Sequence, residues 1–155
     1  DIPGQEEVDR FLPPYDPANA GQVPQAQPLI DALRQADGVI VATPSYHGSF
    51  SGMVKNALDY TEDMRSDARP YFDGRAVGCI VVAEGAQAMG STLIALRSIV
   101  HALRGWPTPY AATLDAKARP FASDDGPPDG VNDALATVAQ QVVMFALSQR
   151  RGVGT

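Results

Sequence analysis

A chain of 155 residues with a formal net charge of -6 and a pI of about 4.7 is one domain's worth of polypeptide, long enough to bury a core without staples. Its acidity makes nucleic acid and anionic membrane surfaces poor partners, and the single cysteine, Cys79, excludes an intrachain disulfide. No signal peptide and no apolar run of spanning length is visible, so the expected location is the cytoplasm.

Residues 1–26 are rich in Pro, Gly and Gln, with Val8, Phe11 and Leu12 as a short apolar patch, and are expected to be mostly irregular. Leu29, Ile30 and Leu33 share one face of a helix predicted over Gln27 to Gln35, which Asp37-Gly38 stops. GVIVAT, Gly38 to Thr43, is the continuous apolar run of a strand buried on both faces. After a polar bend, Met53, Val54, Ala57, Leu58 and Met64 recur at helical spacing from Gly52 to Met64. Around RSDARPYFDGR, where Arg65, Arg69 and Arg75 sit with Asp63, Asp67 and Asp73 interleaved, the charges read as a solvated surface loop rather than a phosphate-tracking stripe.

A second buried strand, AVGCIVVA, spans Ala76 to Ala83 and makes Cys79 a structural thiol, since reactive thiols need exposure and nearby positive charge. A helix from Gly90 to Arg104 carries Leu93, Leu96, Ile99, Val100 and Leu103 on its stripe, with Gly105 at its end. TPYAATLD, Thr108 to Asp115, reads as a third strand. ARPFASDDGPPDG is a polar loop, Val131 to Ser148 the last helix, and RRGVGT a frayed tail.

Strands alternating with helices imply an α/β fold with a parallel sheet between helical layers. Ligands of such sheets bind beyond the carboxyl ends of the strands, where Thr43 to Ser51 leaves the first strand. Pro44 fixes φ and turns the chain off the strand; Ser45, His47 and Ser49 offer donors, and Gly48 permits close backbone approach to a flat ligand. Ser49 or Ser51 can cap the following helix, and Tyr46 presents an aromatic face. That set suits a planar heterocycle bearing carbonyls and ring nitrogens. A Ser/Gly-rich turn between a strand and a helix is also common without any ligand.

The stretch PSYHGSFSGMVKNALDY resembles the flavin-site signature of the NAD(P)H-dependent FMN reductase family, with Pro44, Tyr46, Ser49, Gly52, Val54, Lys55, Asn56, Asp59 and Tyr60 matching its pattern. LPPYDP, Leu12 to Pro17, is similar to a segment that precedes the second helix in these proteins, and the likeness runs on through AVGCIVVAEGAQAMGSTLIALRSIVHALRG. The resemblance implies a flavodoxin-like three-layer sandwich that binds FMN and uses NAD(P)H as co-substrate. Hydride would pass from nicotinamide to flavin and electrons on to a small-molecule acceptor. Pro44, Ser45, Tyr46, His47, Gly48 and Ser49 would run along the flavin ring. A second contact loop, Glu84 to Met89, would bring Glu84, Gly85, Ala86 and Gln87, with Gly85 allowing close approach and Gln87 reaching a ring carbonyl. Lys55, Asn56 and Asp59 would be structural.

Such chemistry needs stacked rings and electronic tuning, not a nucleophile or an acid–base pair, so no catalytic residue is assigned and His47 is given a positioning role. His101 is expected to serve packing or an interface. Two distant histidines and one cysteine make no metal site. The family pattern also has an earlier strand, a phosphate-wrapping loop and a first helix that nothing before residue 11 supplies. The expectation is that this portion is omitted upstream of Asp1 rather than lost. Family members pair through the two helices after the signature, and Met53, Ala57, Met64, Leu93, Ile94, Leu96, Ile99, Val100 and Leu103 make stripes wider than one sheet face needs. A homodimer, or a tetramer of paired dimers, is therefore expected, with Tyr71 and Phe72 reaching toward the partner's flavin. The alternatives are a quinone or azo-compound reductase on the same scaffold, and a non-enzymatic flavodoxin-like module that has lost flavin binding.

Overall fold

The computed structural model describes residues 12–124 and 126–152. Val8 and Phe11 lie outside the described residues. Leu12 packs against a small cluster of Ala26, Ile30, Tyr60 and Met64, reached through short 3-10 turns at Pro17–Asn19 and Pro24–Ala26. Helix α1 spans Gln27–Gln35, the range its periodicity predicts.

The central strands are β1, Gly38–Tyr46, and β3, Ala76–Ala83, paired in parallel from Gly38↔Ala76 to Pro44↔Val82. Of the third predicted strand, Thr108 to Asp115, only the last four residues form strand, and a two-residue strand lies just before the predicted start; both run beside β3. β4 (Trp106–Pro107) pairs with its start and β5 (Ala112–Asp115) with its end, both parallel. Pro107 and Pro109 have no N–H for a ladder, and the intervening carbonyls of Thr108 and Pro109 accept from Arg97 Nη2 at 2.9 Å instead.

Strand β1 does not stop at Thr43. It runs through Pro44, Ser45 and Tyr46 and folds back as β2, Ser49–Phe50, in an antiparallel pair with register Tyr46↔Ser49. Pro44 therefore does not turn the chain. An edge strand tolerates a proline where its missing N–H faces away from the partner. The reversal falls two residues later, at His47 (φ 53) and Gly48 (φ 80), the two positive-φ centres of a type I′ hairpin turn.

Helix α2, Gly52–Asp59, passes into a 3-10 turn, Tyr60–Met64. Helix α3, Ala86–Ala102, starts four residues before Gly90 because Ala86 to Met89 are good helix formers and one internal glycine costs only about 1 kcal/mol. It ends with Arg104 left-handed (φ 63) while Gly105 N–H donates to Val100 O at 2.9 Å, a Schellman closure. Helix α4, Asp129–Gly152, is longer than predicted at both ends.

The sheet lies between two helical layers. On one face Val41, Val77, Cys79 and Val81 meet Leu58, Phe72, Leu96 and Val100, with Leu33 of α1 at the margin. On the other, Ala112, Leu114, Ile80 and Val82 meet Val138 and Leu135 of α4. Cys79 is buried, and burial pushes its thiol up to about 11, as a structural cysteine requires.

Two expectations about the Arg65 to Arg75 segment change. Arg75 is not solvated: it is 1% exposed. Its guanidinium donates to the carbonyls of Tyr71 and Ala36 at 2.9 Å and of Arg34 at 3.3 Å, closing the end of α1. Burial pulls its pKa down from the usual value. Phe72 is a core residue, 1% exposed, and Tyr71 donates its hydroxyl to Glu62 at 3.0 Å, so Phe72 cannot reach toward a neighbouring subunit.

Candidate functional site

At the carboxyl end of β1 and β3 two segments converge on one open cleft of about 430 Å³, lined by Gly48, Glu84, Gly85, Gln87, Ala88 and Ser91. The first is the hairpin turn. The second is the N-terminus of α3, where Gly85 is the N-cap (φ 156, ψ 144) and contributes no capping side chain. The first N–H groups of a helix have no intrahelical partner, so this end offers donors and the positive pole of a 17-residue helix. A Cβ on Gly85 would meet nothing within 4 Å, whereas one on Gly48 would come within 3.5 Å of Ser91 Oγ.

The predicted site residues separate into two groups. Gly48, Glu84, Gly85 and Gln87 share the cleft. Pro44, Ser45 and Tyr46 stand on β1, His47 in the turn, Ser49 on β2 and Ala86 in the first turn of α3, so Glu84 to Met89 is a two-residue bend and a helix start rather than a loop. The Ser45 hydroxyl is engaged within the chain, 2.7 Å from Thr92 Oγ1 and 3.4 Å from Ala88 O. Tyr46 and His47 are exposed.

Ala88 falls within the expected Glu84 to Met89 segment without having been singled out, and Ser91 was not foreseen. Ser91 stands at the start of the helix predicted from Gly90 but more than one turn into the observed α3, where its hydroxyl meets the hairpin.

Neighbouring polar residues support the backbone. Ser51 caps α2 by accepting from Val54 N at 3.2 Å, and its own N–H donates to Thr43 Oγ1 at 3.0 Å. Asn56 clamps the LPPYDP segment, accepting from Tyr15 N at 2.7 Å and donating to Pro13 O at 2.9 Å. Lys55 pairs with Asp59 one turn along α2. Lys55, Asn56 and Asp59 are thus each engaged within the chain. His101 is exposed on α3 and packs in no core cluster. Among the described residues no three His, Cys, Asp or Glu side chains gather as a metal ion would need, and no helix is long and apolar enough to cross a membrane.

The donor chemistry fits the edge of a flat heterocycle. Uncapped N–H groups and Gln87 suit carbonyls and ring nitrogens, and two glycines leave room for close approach. No lining residue is basic, so the cleft suits a ring edge rather than a phosphoryl group.

An α/β layer sandwich with its cleft at the carboxyl ends of parallel strands defines the flavodoxin-like class, and solved structures agree. An oxidoreductase from Corynebacterium diphtheriae superposes with a TM-score of 0.61 at 21% identity, covering 81% of this chain and 63% of that one. The NAD(P)H:(acceptor) oxidoreductase FerB of Paracoccus denitrificans gives 0.57 at 20%, covering 92% and 78%. Residues 6–119 match the model of the NADPH-dependent FMN reductase family, and the chain belongs to that family. An FMN-dependent NADPH-azoreductase of Staphylococcus aureus is 36% identical over 101 residues, 57% of this chain and 50% of that protein. The CrdA subunit of an NADH:(hydroxy)cinnamate reductase from Vibrio ruber is 39% identical over 75 residues, 46% and 37%. The chain thus spans half or less of the length of these relatives.

Proposed function

We propose that this protein is an NAD(P)H-dependent flavin oxidoreductase whose cleft between Gly48 and the α3 N-terminus receives one edge of the FMN ring. The observation that carries the reading is the convergence of a glycine turn and an uncapped helix N-terminus, in a member of this family. Backbone N–H groups of the first α3 turn and the Gln87 side chain would orient the ring. Gly48 and Gly85 keep side chains out of its way, and Tyr46 and His47 flank it from the hairpin. Bound FMN supplies hydride acceptance from nicotinamide and electron delivery to a small-molecule acceptor. The azoreductase likeness favours an azo-compound or quinone acceptor as the second reading.

We also propose a homodimer through α2 and α3 in the cytoplasm, with a tetramer of paired dimers as a further step. Met53 is 74% and Ile94 72% exposed on these helices, the kind of apolar surface that marks an interface. The remaining stripe is mostly accounted for by the fold, since Met64, Leu96 and Val100 are buried.

Flavin fluorescence quenching and NAD(P)H oxidation with an azo dye or a quinone test the reading. The expectation is saturable FMN binding, lost in Gly85→Val with helical content unchanged. Absence of FMN binding by the folded full chain overturns it. Sedimentation as a monomer at micromolar concentration overturns the dimer.

A further inference from the structure

The hairpin that carries Gly48 is too small to hold itself. It has two residue pairs beyond the parallel ladder, Ser45↔Phe50 and Tyr46↔Ser49, and an isolated two-stranded hairpin is marginal in water. Its stability must come from what it rests on.

What it rests on is one face of α3. Ser91 Oγ donates to Gly48 O at 2.9 Å, with Ala88 O as its second acceptor at 3.2 Å. One residue along, Thr92 Oγ1 lies 2.7 Å from Ser45 Oγ, and Thr92 is fully buried. Ser45 also reaches Ala88 O at 3.4 Å. Ala88, Ser91 and Thr92 are spaced i, i+3, i+4, so they share one side of the helix. Two hydroxyls of α3 thus grip the hairpin at its turn and on its β1 strand. The helix whose N-terminus forms one wall of the cleft also holds the other wall.

We propose that Ser91 and Thr92 are positioning residues that latch the β1–β2 turn onto α3 and so set the spacing between Gly48 and Gly85 before any ligand arrives. Preorganisation of this kind raises affinity by removing the ordering cost from the binding step. The inference rests on the flavin reading of the cleft, but the latch has a readout of its own in the FMN-free protein.

The test compares Ser91→Ala and Thr92→Val with Thr92→Ser, which keeps the hydroxyl. Thr92→Val is close to isosteric and Ser91 is exposed, so both variants are expected to fold, as circular dichroism would verify. Amide exchange of His47 to Phe50 should quicken about three- to tenfold in the first two, the range one net hydrogen bond gives. The FMN dissociation constant, from fluorescence quenching, should rise by a similar factor with an altered visible spectrum of the bound flavin. Thr92→Ser should restore both. Unchanged exchange in Ser91→Ala and Thr92→Val overturns the latch. Faster exchange with undiminished FMN affinity overturns the positioning role. A wild-type chain that binds no FMN overturns the flavin reading and the positioning role with it, whatever the exchange rates show.

Discussion

The two faces of the sheet are built on opposite principles. Toward α3 the strands project Val41, Val77, Cys79 and Val81 into the side chains of Leu58, Phe72, Leu96 and Val100. Toward α4, β1 and β3 present glycine at the crossing point. A Cβ on Gly38 would lie 2.4 Å from Val142 Cγ1, and one on Gly78 2.5 Å from Val138 Cγ1. The first face fills space with interlocking side chains; the second packs side chains along β5 but removes them at Gly38 and Gly78, where α4 comes down onto the backbone. Burial follows the difference. Val41 is buried, whereas its neighbour Ile40, on the α4 side, is 45% exposed. One face should therefore be sensitive to deletion and the other to addition.

The largest effect should come from emptying the interlocked face. Phe72→Ala should cost about 3–5 kcal/mol, read as a lower urea midpoint with unchanged slope. A smaller loss would mean that face collapses readily and is less interlocked than its contacts imply.

Cys79, on the same face, allows the burial to be read by pH. Its thiol is raised from 9.0 to about 11 in the folded chain, first by burial and against the influence of Arg97. Above pH 9 the unfolded thiol loses its proton while the folded one keeps it. Stability from this group is thus complete below pH 9 and falls as pH climbs toward 11, by about 2–3 kcal/mol in all. Wild type minus Cys79→Ala, measured by denaturant unfolding at pH 8 and 10.5, isolates that slope. Parallel curves would place the thiol in contact with water.

On the opposite face, Gly78→Ala adds a single methyl group and should cost about 1–3 kcal/mol by overpacking. Combining it with Val138→Ala makes room, so the double mutant should be more stable than the sum of the two single changes predicts. Strict additivity in that cycle would remove close approach as the explanation. The smallest effect belongs to neither face: Ser51→Ala removes the α2 cap and should cost about 1 kcal/mol. Thermal melts that leave it unchanged would show the Ser51–Val54 bond to be replaced by water.

Much of the frame was legible in the residues. AVGCIVVA is apolar on both sides because helices cover both sides, whereas GVIVAT, expected to be buried on both faces, leaves Ile40 and Ala42 exposed on one; the leucine spacing of α1 marks its limits. Gly48 and the Glu84–Gly85 bend, which line the candidate cleft, were legible as segments of interest because glycine at a strand end is a local signal. Pro44 misled for the same reason: read locally, it ends a strand, but pairing with β3 reaches Pro44 and pairing with β2 carries β1 past it.

What the sequence determined by itself was therefore whatever neighbours within a turn or a pleat decide: the alternation of strands and helices, the buried thiol run and the signature of the family. Tertiary structure decided which polar groups are free. Ser45 finds its partner at Thr92, 47 residues away, and Arg75 spends its donors on carbonyls as far back as Arg34, 41 residues away. A hydroxyl or guanidinium has the same composition whether it faces water or a carbonyl. Its partner is chosen only when the sheet brings distant backbone within about 3 Å, and periodicity along the chain carries no trace of that meeting.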